Sequence, residues 1–427
     1  MAASQRFRQA RAIAMVSSGN FLEMYDFMVF GYYASAISKA YFPSDSELGS
    51  LMLALMTFGA GFLMRPVGAL LLGAYIDRHG RRKGLILTLA LMALGTLIVA
   101  ATPRYATIGL AAPLLVVAGR LIQGFSAGVE LGGVSVYLSE IAPPGKKGFY
   151  VAWQSASQQM AVAFAAAIGL LLNALLGKAE MASWGWRVPF LAGCALVPFL
   201  MLMRRRLEET EAFKAQVARP ALGEVCRTLA AHWLLVLRGA FLVVTTTVFF
   251  YLITAYAPTY GSTVLRLGPE ESFTVTLCVG LLNFTMLPLM GALSDRVGRI
   301  PVLLVASSVG LLIGYPLLHW LVAAPSFGRL MAVLLLLAAV YASYNGAVLV
   351  FLAEIMPAHV RTSGFSFAYS LAAGLFGGFT PAIATYLIGV TGDRAIPGVW
   401  LSIAAAIGLG STLSFAWRRS DRPMLAS

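Results

Sequence analysis

Five charged side chains stand inside stretches that are otherwise apolar: Glu23 and Asp26 in GNFLEMYDF, Arg65 in GFLMRPVGAL, Arg120 in VVAGRLIQGF and Glu130 in SAGVELGG. A charge placed at the centre of a bilayer costs about 2.5–3.5 kcal/mol on insertion scales, so each needs a partner or a task. The carboxylates suit proton carrying, and a planar guanidinium suits bidentate capture of an anionic carboxylate. Glu23 and Asp26 lie twelve and fifteen residues beyond Arg11, Arg65 twelve before Asp77, and Glu130 ten before Glu140. At a rise of about 1.5 Å per residue these spacings place all four roughly 15–22 Å from one end of their helices, near a membrane midplane. Arg120 lies ten residues before Glu130, further toward the opposite face. Its depth makes Arg65 the leading anion ligand, whereas Arg120 either binds the anion or pairs with a carboxylate. Glu130 and Asp26 are the stronger proton carriers, with Glu23 a third, because burial and an approaching anion both favour a protonated carboxyl. A static ion pair, for example Arg120 with Asp26 or Glu23, is the competing reading for any single residue, but a purely structural role for all five is not expected.

The elements that must hold these groups follow from composition. Of 427 residues 59% are hydrophobic and 11% charged, and a mean hydropathy of +0.80 excludes an ordinary soluble protein. Apolar stretches fall near 12–38, 48–75, 84–102, 107–139, 149–177, 187–204, 234–262, 272–294, 301–322, 327–354, 362–390 and 397–417. Each is long enough for a transmembrane helix, and together they predict an all-α membrane protein of twelve transmembrane helices. The polar interval after RRRLEETEAFKAQVARP divides the chain into a six-helix half (1–206), a linker (207–233) in which Pro220 would interrupt a helix, a second six-helix half (234–420) and a tail (421–427). The formal net charge of +13 would suggest a nucleic-acid partner for a soluble chain, but here it sorts by topology. Lys39, Arg104, Lys178, Arg187, Arg266, Arg329 and Arg394 occupy one set of loops, Arg65, Arg120 and Arg238 lie within spans, and the rest of the 31 Lys and Arg fall on the other side. Positive-inside bias then puts both termini in the cytoplasm, with the first segment retained as a helix, and makes the bilayer the expected large partner rather than nucleic acid. Cys194, Cys226 and Cys278 are isolated, so no disulfide framework is indicated, and the four histidines sit in loops or near helix ends, so neither a metal nor another cofactor is expected. No Cys/His nucleophile pair, HExxH signature or phosphate loop points to an enzyme.

Self-comparison exposes a repeat. Gly73, Asp77, Arg78, Gly80 and Arg81 recur as Gly291, Asp295, Arg296, Gly298 and Arg299, and Leu138, Glu140, Ile141 and Pro143 recur as Leu352, Glu354, Ile355 and Pro357. Gly148, Phe149 and Ala152 recur as Gly364, Phe365 and Ala368. Two parallel halves with a ligand site between them describe one transporter architecture. The Gly-x(3)-Asp-Arg-x-Gly-Arg loop resembles the signature of the major facilitator superfamily over the whole chain. Its Asp and Arg residues (Asp77, Arg78, Arg81, Asp295, Arg296, Arg299), with Glu140 and Glu354, suit a gate whose ion pairs hold one closed state.

GNFLEMYDF (19–27), FLMRPVGALLLGAYIDRHGRRKG (62–84), GRLIQGFSAGVELGG (119–133), SEIAPPGKKGF (139–149), WGWRVPF (184–190) and RRRLEETEAF (204–213) look like the metabolite:proton symporter branch. SAGVELGGVSVYLSEIA, FYVAWQSASQQ, TTTVFFYLITAYAPTYG and FGGFTPAIATYLIG make the chain most similar to the bacterial citrate and tricarballylate proton symporters in that branch. The resemblance implies a monomeric inner-membrane symporter that imports a tricarboxylate with protons by alternating access. Carriers of dicarboxylates such as 2-oxoglutarate, of shikimate and of zwitterionic osmolytes share much of the pattern, and a non-transporting solute sensor could use the same fold.

The repeat is asymmetric where the charges stand. Asn283 is the positional counterpart of Arg65, and Tyr344 that of Glu130, so ionic chemistry is expected in the first half and neutral recognition in the second. Candidate ligand contacts there are Tyr251, Thr254, Tyr256, Asn283, Tyr341, Tyr344 and Asn345, joined by Gln154 and Gln158 from the first half. The Met and Phe stripes read as faces toward lipid or neighbouring helices. Gly124, Gly128, Gly132 and Gly133 read as a small-residue face for close helix approach.

Overall fold

The computed structural model describes residues 19–79, 81–128, 130–205, 222–356 and 361–420, and among these every regular element is a helix. In a hydrocarbon slab each peptide group must find its partner within its own segment, and helices do this regardless of which side chains they carry. The first half comprises α1 (Gly19–Tyr32), α2 (Ala34–Tyr41), α3 (Glu47–Leu63), α4 (Arg65–His79), α5 (Arg81–Ala101), α6 (Ala111–Ala127), α7 (Glu130–Ile141), α8 (Lys147–Leu175) and α9 (Val188–Arg205). After α10 (Leu222–Ala231) come α11 (Trp233–Ile253), α12 (Pro269–Val297), α13 (Arg299–Ala323), α14 (Phe327–Ile355), α15 (Arg361–Ala372), α16 (Thr380–Thr391) and α17 (Pro397–Ser420).

Nine helical runs among the described residues are long and apolar enough to cross a membrane. The predicted stretches 12–38, 84–102 and 187–204 correspond to α1–α2, α5 and α9, which do not reach that length and hydropathy within the described residues. Pro220 and the tail 421–427 lie outside the description, and the C-terminal part of the predicted linker is itself helical as α10.

Several predicted continuous spans are interrupted among the described residues, and one of the breaks carries a charge. α3 gives way to α4 at Met64, where Pro66 cannot donate a backbone hydrogen bond, so Arg65 opens the second segment at a bend. α6 ends at Ala127 and Glu130 is the first described residue of α7, with Val129 between them outside the description. In the second half α11 ends at Ile253 and resumes as a short turn before the π-turn Tyr260–Val264, while α15 and α16 are separated by the π-turn Ala373–Gly377.

The halves meet along two antiparallel seams. On one, α8 runs against α12 with Gly148 beside Gly291, Gln159 and Ala163 beside Gly280, and Gly169 beside Phe273. On the other, α3 runs against α16 and the turn before it, with Leu48 beside Gly389, Gly59 beside Phe379 and Phe62 beside Gly374 and Gly378. Helices α11 and α14 form the interior, their most apolar windows 83% and 72% buried, against 33% for α13 and α17 at the periphery. The expected small-residue face is real at three of its four glycines. A β-carbon would be driven into the Gly61 carbonyl oxygen at Gly124, the Arg65 carbonyl oxygen at Gly128 and the Ser366 hydroxyl at Gly132, whereas Gly133 faces open space. Gly124 and Gly128 thus let α6 lie against the bend that presents Arg65.

Candidate functional site

Two ion pairs occupy the centre of the first half. Arg65 Nη2 donates to Glu23 Oε1 at 2.9 Å, and Arg120 Nη1 donates to Asp26 Oδ2 at 3.3 Å and to Gln123 Oε1 at 2.7 Å. Glu23 and Asp26 are three residues apart on α1 and so share a face, with the arginines reaching them from α4 and α6. All four side chains are buried: Glu23 keeps 5% of its surface, Arg65 2%, Asp26 1% and Arg120 none. The pairing left open by the sequence is resolved here: Arg120 takes Asp26, while Glu23 goes to Arg65. Gln123 in turn donates to Thr96 Oγ1 at 3.0 Å, so Arg120 is anchored on α5 as well.

An aromatic cage encloses both guanidinium groups. The Phe27 ring lies between them, 4.8 Å from Arg65 Cζ and 4.3 Å from Arg120 Cζ. Phe62 covers Arg65 at 4.3 Å, while Phe30 and Phe58 lie 4.5 and 5.3 Å from Arg120. A desolvated guanidinium over a ring gains about 2 kcal/mol, which offsets part of the burial cost. These phenylalanines were expected to face lipid or packing neighbours. They instead form the walls around the charges, and Tyr251 closes the cage from the second half, its ring 5.0 Å from Phe62 and 6.0 Å from Phe58.

Glu130 stands apart from the two pairs. Thr88 donates to its Oε1 at 3.1 Å, and it lines a small cavity together with Glu23, Ser126 and Leu22. Three predicted acids therefore divide into one locked against Arg120, one shared with Arg65 and one beside the shared acid.

The expected neutral groups of the second half separate into two sets. Across the seam, Asn283 Nδ2 donates to Gln159 Oε1 at 3.4 Å, while within the second half Asn345 Nδ2 donates to Thr246 Oγ1 at 2.6 Å and to Tyr341 Oη at 3.2 Å. Tyr344 points elsewhere on its helix: its hydroxyl donates to the Leu242 carbonyl at 2.9 Å inside the second half, since successive helical residues are rotated by about 100° and Asn345 bonds Thr246 instead. Tyr256 is also away from the pairs, bonded to Thr385 Oγ1 at 2.8 Å beside an outer cavity, and Thr254 returns its hydroxyl to the Phe250 carbonyl. Gln154 and Gln158 are buried on α8, with Gln154 Oε1 accepting from Ser155. Gln159, the seam residue beside them, was not anticipated, although its one-residue offset from Gln158 was the available signal. Several buried atoms here have no protein hydrogen-bond partner: Asp26 Oδ1, Arg65 Nε, Arg120 Nε and Nη2, Gln154 Nε2, Gln159 Nε2, Asn283 Oδ1 and Asn345 Oδ1. Buried polar atoms in a native state are nearly always satisfied by protein or by ordered water, so these donors and acceptors have hydrogen-bonding capacity beyond what the protein supplies. Among the described residues no group of three or more His, Cys, Asp or Glu is placed to hold a metal ion.

At the end of the bundle carrying the second repeat of the signature, Asp295 accepts from the backbone N–H groups of Gly148 and Phe149 at 2.8 and 3.0 Å. Arg299 bridges it at 2.8 Å and reaches Glu354 at 3.1 Å. A second-half carboxylate therefore caps a first-half helix, and the arginine ties it to α14. Arg296 and Glu140 are exposed, while the side chains of Asp77, Arg78 and Arg81 lie outside the description. Hydrogen bonds to a charged acceptor contribute about 1.5–3 kcal/mol each, enough to favour contact between these ends of α8, α12 and α14 by an order of magnitude. Asp295→Asn should release it. In a background with Cys194, Cys226 and Cys278 changed to serine, a cysteine placed at the buried Ala152 should then be labelled about ten-fold faster. Unchanged labelling would show that Asp295 does not hold these helix ends together.

The family described as sugar (and other) transporter matches residues 12–415. The citrate-proton symporter of Salmonella typhi is 55% identical over 401 residues, 94% of this chain and 92% of that protein. The citrate-proton symporter of Klebsiella pneumoniae is 56% identical over 409 residues, 96% of this chain and 92% of that protein. Among solved structures, the xylose transporter XylE from E. coli in a partially occluded inward open conformation superposes with a TM-score of 0.75, covering 97% of this chain and 98% of that one, at 18% identity.

Proposed function

The chain belongs to the sugar (and other) transporter family of the major facilitator superfamily, and we propose that it is a proton-coupled symporter that imports citrate or a related tricarboxylate such as tricarballylate. The observation that carries this reading is the pair of caged, buried arginines in the first half, opposite a wholly neutral polar set in the second. Citrate offers three carboxylates to the arginines and a hydroxyl to Gln159, Asn283 or Asn345. The names of the two relatives that are more than half identical to this chain agree with that chemistry, whereas proline/betaine transporters matching over a similar length are 31% identical.

In this reading twelve spans form two six-helix halves, 1–206 and 234–420, joined by the linker 207–233. Both termini lie in the cytoplasm of a bacterium, and the monomer works within the inner membrane. The end carrying Asp295 and Glu354 is then cytoplasmic and closed, and the outer cavity opens to the periplasm. Arg65, Arg120 and the neutral set bind the anion, and Glu23, Asp26 and Glu130 handle protons. Coupling arises because a substrate carboxylate competes with Glu23 for Arg65. A displaced Glu23, buried without its counter-ion, takes up a proton before the halves can rock.

Proteoliposomes with an imposed pH gradient, acid outside, test the reading. Labelled citrate should accumulate, unlabelled tricarballylate should compete, and 2-oxoglutarate and betaine should compete weakly. Accumulation that citrate fails to inhibit would overturn the substrate assignment, and an absence of flux for the whole panel would leave a sensor on the same fold.

A further inference from the structure

A cavity of about 920 Å³ opens at the end of the bundle opposite Asp295, between the α2–α3 corner of the first half and the α11 and α16 ends of the second. Three cations line it, Lys39, Arg266 and Arg394, against a single acid, Glu47. Lys39 and Glu47 pair with each other at 3.3 Å, so Arg266 and Arg394 carry the uncompensated charge. Arg394 Nη1 reaches the Val264 carbonyl at 3.5 Å, which brings it alongside the segment that carries Arg266. Arg266 itself has φ 59°, the one positive value among non-glycine residues described. Glycine or asparagine is the ordinary occupant of that region, so a long cation there is held against a backbone preference. The Tyr256–Thr385 hydroxyl pair also lines the cavity, which gives the misplaced Tyr256 a location outside the central site.

We propose that this cavity is a second, low-affinity binding site in which Arg266 and Arg394 hold the incoming polycarboxylate before it reaches the arginine cage. The chemistry required is a small anion of charge two or more with several carboxylates. The two cations meet its carboxylates while the Tyr256 and Thr385 hydroxyls offer neutral hydrogen bonds. A concave site of one charge sign raises the local concentration of such an anion and its rate of capture, most strongly at low salt. The identity of the anion rests on the citrate reading, but the site itself does not.

Calorimetric titration of citrate into the purified full chain tests it directly. The wild type should show two classes of site, a tight one and one with Kd on the order of 1 mM. Arg65→Gln should keep only the weak class, and Arg266→Gln with Arg394→Gln should keep only the tight one. In uptake the double variant should raise KM about ten-fold at low ionic strength with kcat unchanged, and should flatten the salt dependence. Citrate binding to Arg65→Gln that survives loss of both outer arginines, or a wild-type isotherm with one class of site, would overturn the proposal. Wild-type citrate uptake is scored separately: its failure removes the substrate assignment and leaves the binding result standing.

Discussion

Arg65→Gln should reduce citrate affinity by at least about 100-fold, a loss of roughly 2.8 kcal/mol. The magnitude follows from what the guanidinium does in its cage. It is 2% exposed, bonded to Glu23 at 2.9 Å and faced by Phe27 and Phe62, and its Nε has no protein partner. Truncating one member of a buried, hydrogen-bonded charge pair typically costs about 2–5 kcal/mol, much of it from stranding the other charge. Glutamine would therefore also weaken the fold through Glu23, and Glu23→Gln with Arg65→Gln separates the two effects. The double variant should recover the melting temperature but not citrate binding, since the lost fork is needed by the ligand. Arg65→Lys keeps the charge but loses the planar two-pronged geometry, so it should recover stability with affinity still at least ten-fold below wild type. Calorimetry and thermal unfolding on the three proteins decide the matter. Wild-type affinity in the folded double variant would remove Arg65 from the anion site.

Much of this arrangement was legible in the sequence because charge is rare in membrane segments. Arg65, Arg120, Glu23, Asp26 and Glu130 stood out for that reason, and helix rise sufficed to place four of them at one depth. The repeat supplied the neutral counterparts, and Asn283 does face the seam. It could not supply direction: Tyr344 occupies the position equivalent to Glu130 yet turns its hydroxyl to Leu242, and neighbouring Asn345 bonds Thr246 instead. The aromatic cage was illegible for a different reason. Helices that are apolar all round carry no stripe to separate ring positions facing lipid from those facing the interior, so Phe27, Phe30, Phe58 and Phe62 looked like any other phenylalanine. Helix breaks were partly hidden too. Pro66 marks the bend at Arg65, and Pro258, which has no N–H for the Thr254 carbonyl four residues earlier, marks the break at Thr254–Tyr256, although it does not by itself set the path of the chain there. The path is a tertiary feature, fixed where α1 approaches Ala255 at Gly31 and Thr259 donates to the Gly31 carbonyl.

Glu130→Gln should leave exchange of preloaded citrate within about two-fold of wild type while abolishing accumulation driven by a pH gradient, a split that thermodynamic linkage permits because exchange needs no net proton movement. The three acids are not equivalent candidates for this result. Asp26 is locked between Arg120 and the interior, so Asp26→Asn strands a buried guanidinium and should cost about 3–5 kcal/mol in stability, lowering exchange and accumulation together. In the proposed coupling Glu23 releases Arg65 as the anion binds, and Glu130 lies beside Glu23 across the small cavity they share with Ser126. On that proposal Glu130 passes a proton to Glu23 as the substrate claims the arginine. The size of the effect follows from the driving force. One pH unit is worth about 1.36 kcal/mol per coupled proton, so each proton lost lowers the attainable accumulation about ten-fold. A trianion also faces the membrane potential, about 2.3 kcal/mol per net charge at 100 mV, so roughly three protons are needed to neutralise it and the loss of even one makes import electrically uphill. Measured in the same vesicles, exchange and accumulation should separate for Glu130→Gln and fall together for Asp26→Asn. If Glu130→Gln accumulates citrate normally, the proton travels by another route. If Asp26→Asn is the variant that exchanges but cannot accumulate, the carrier is Asp26, and its pair with Arg120 is the element that opens in each cycle.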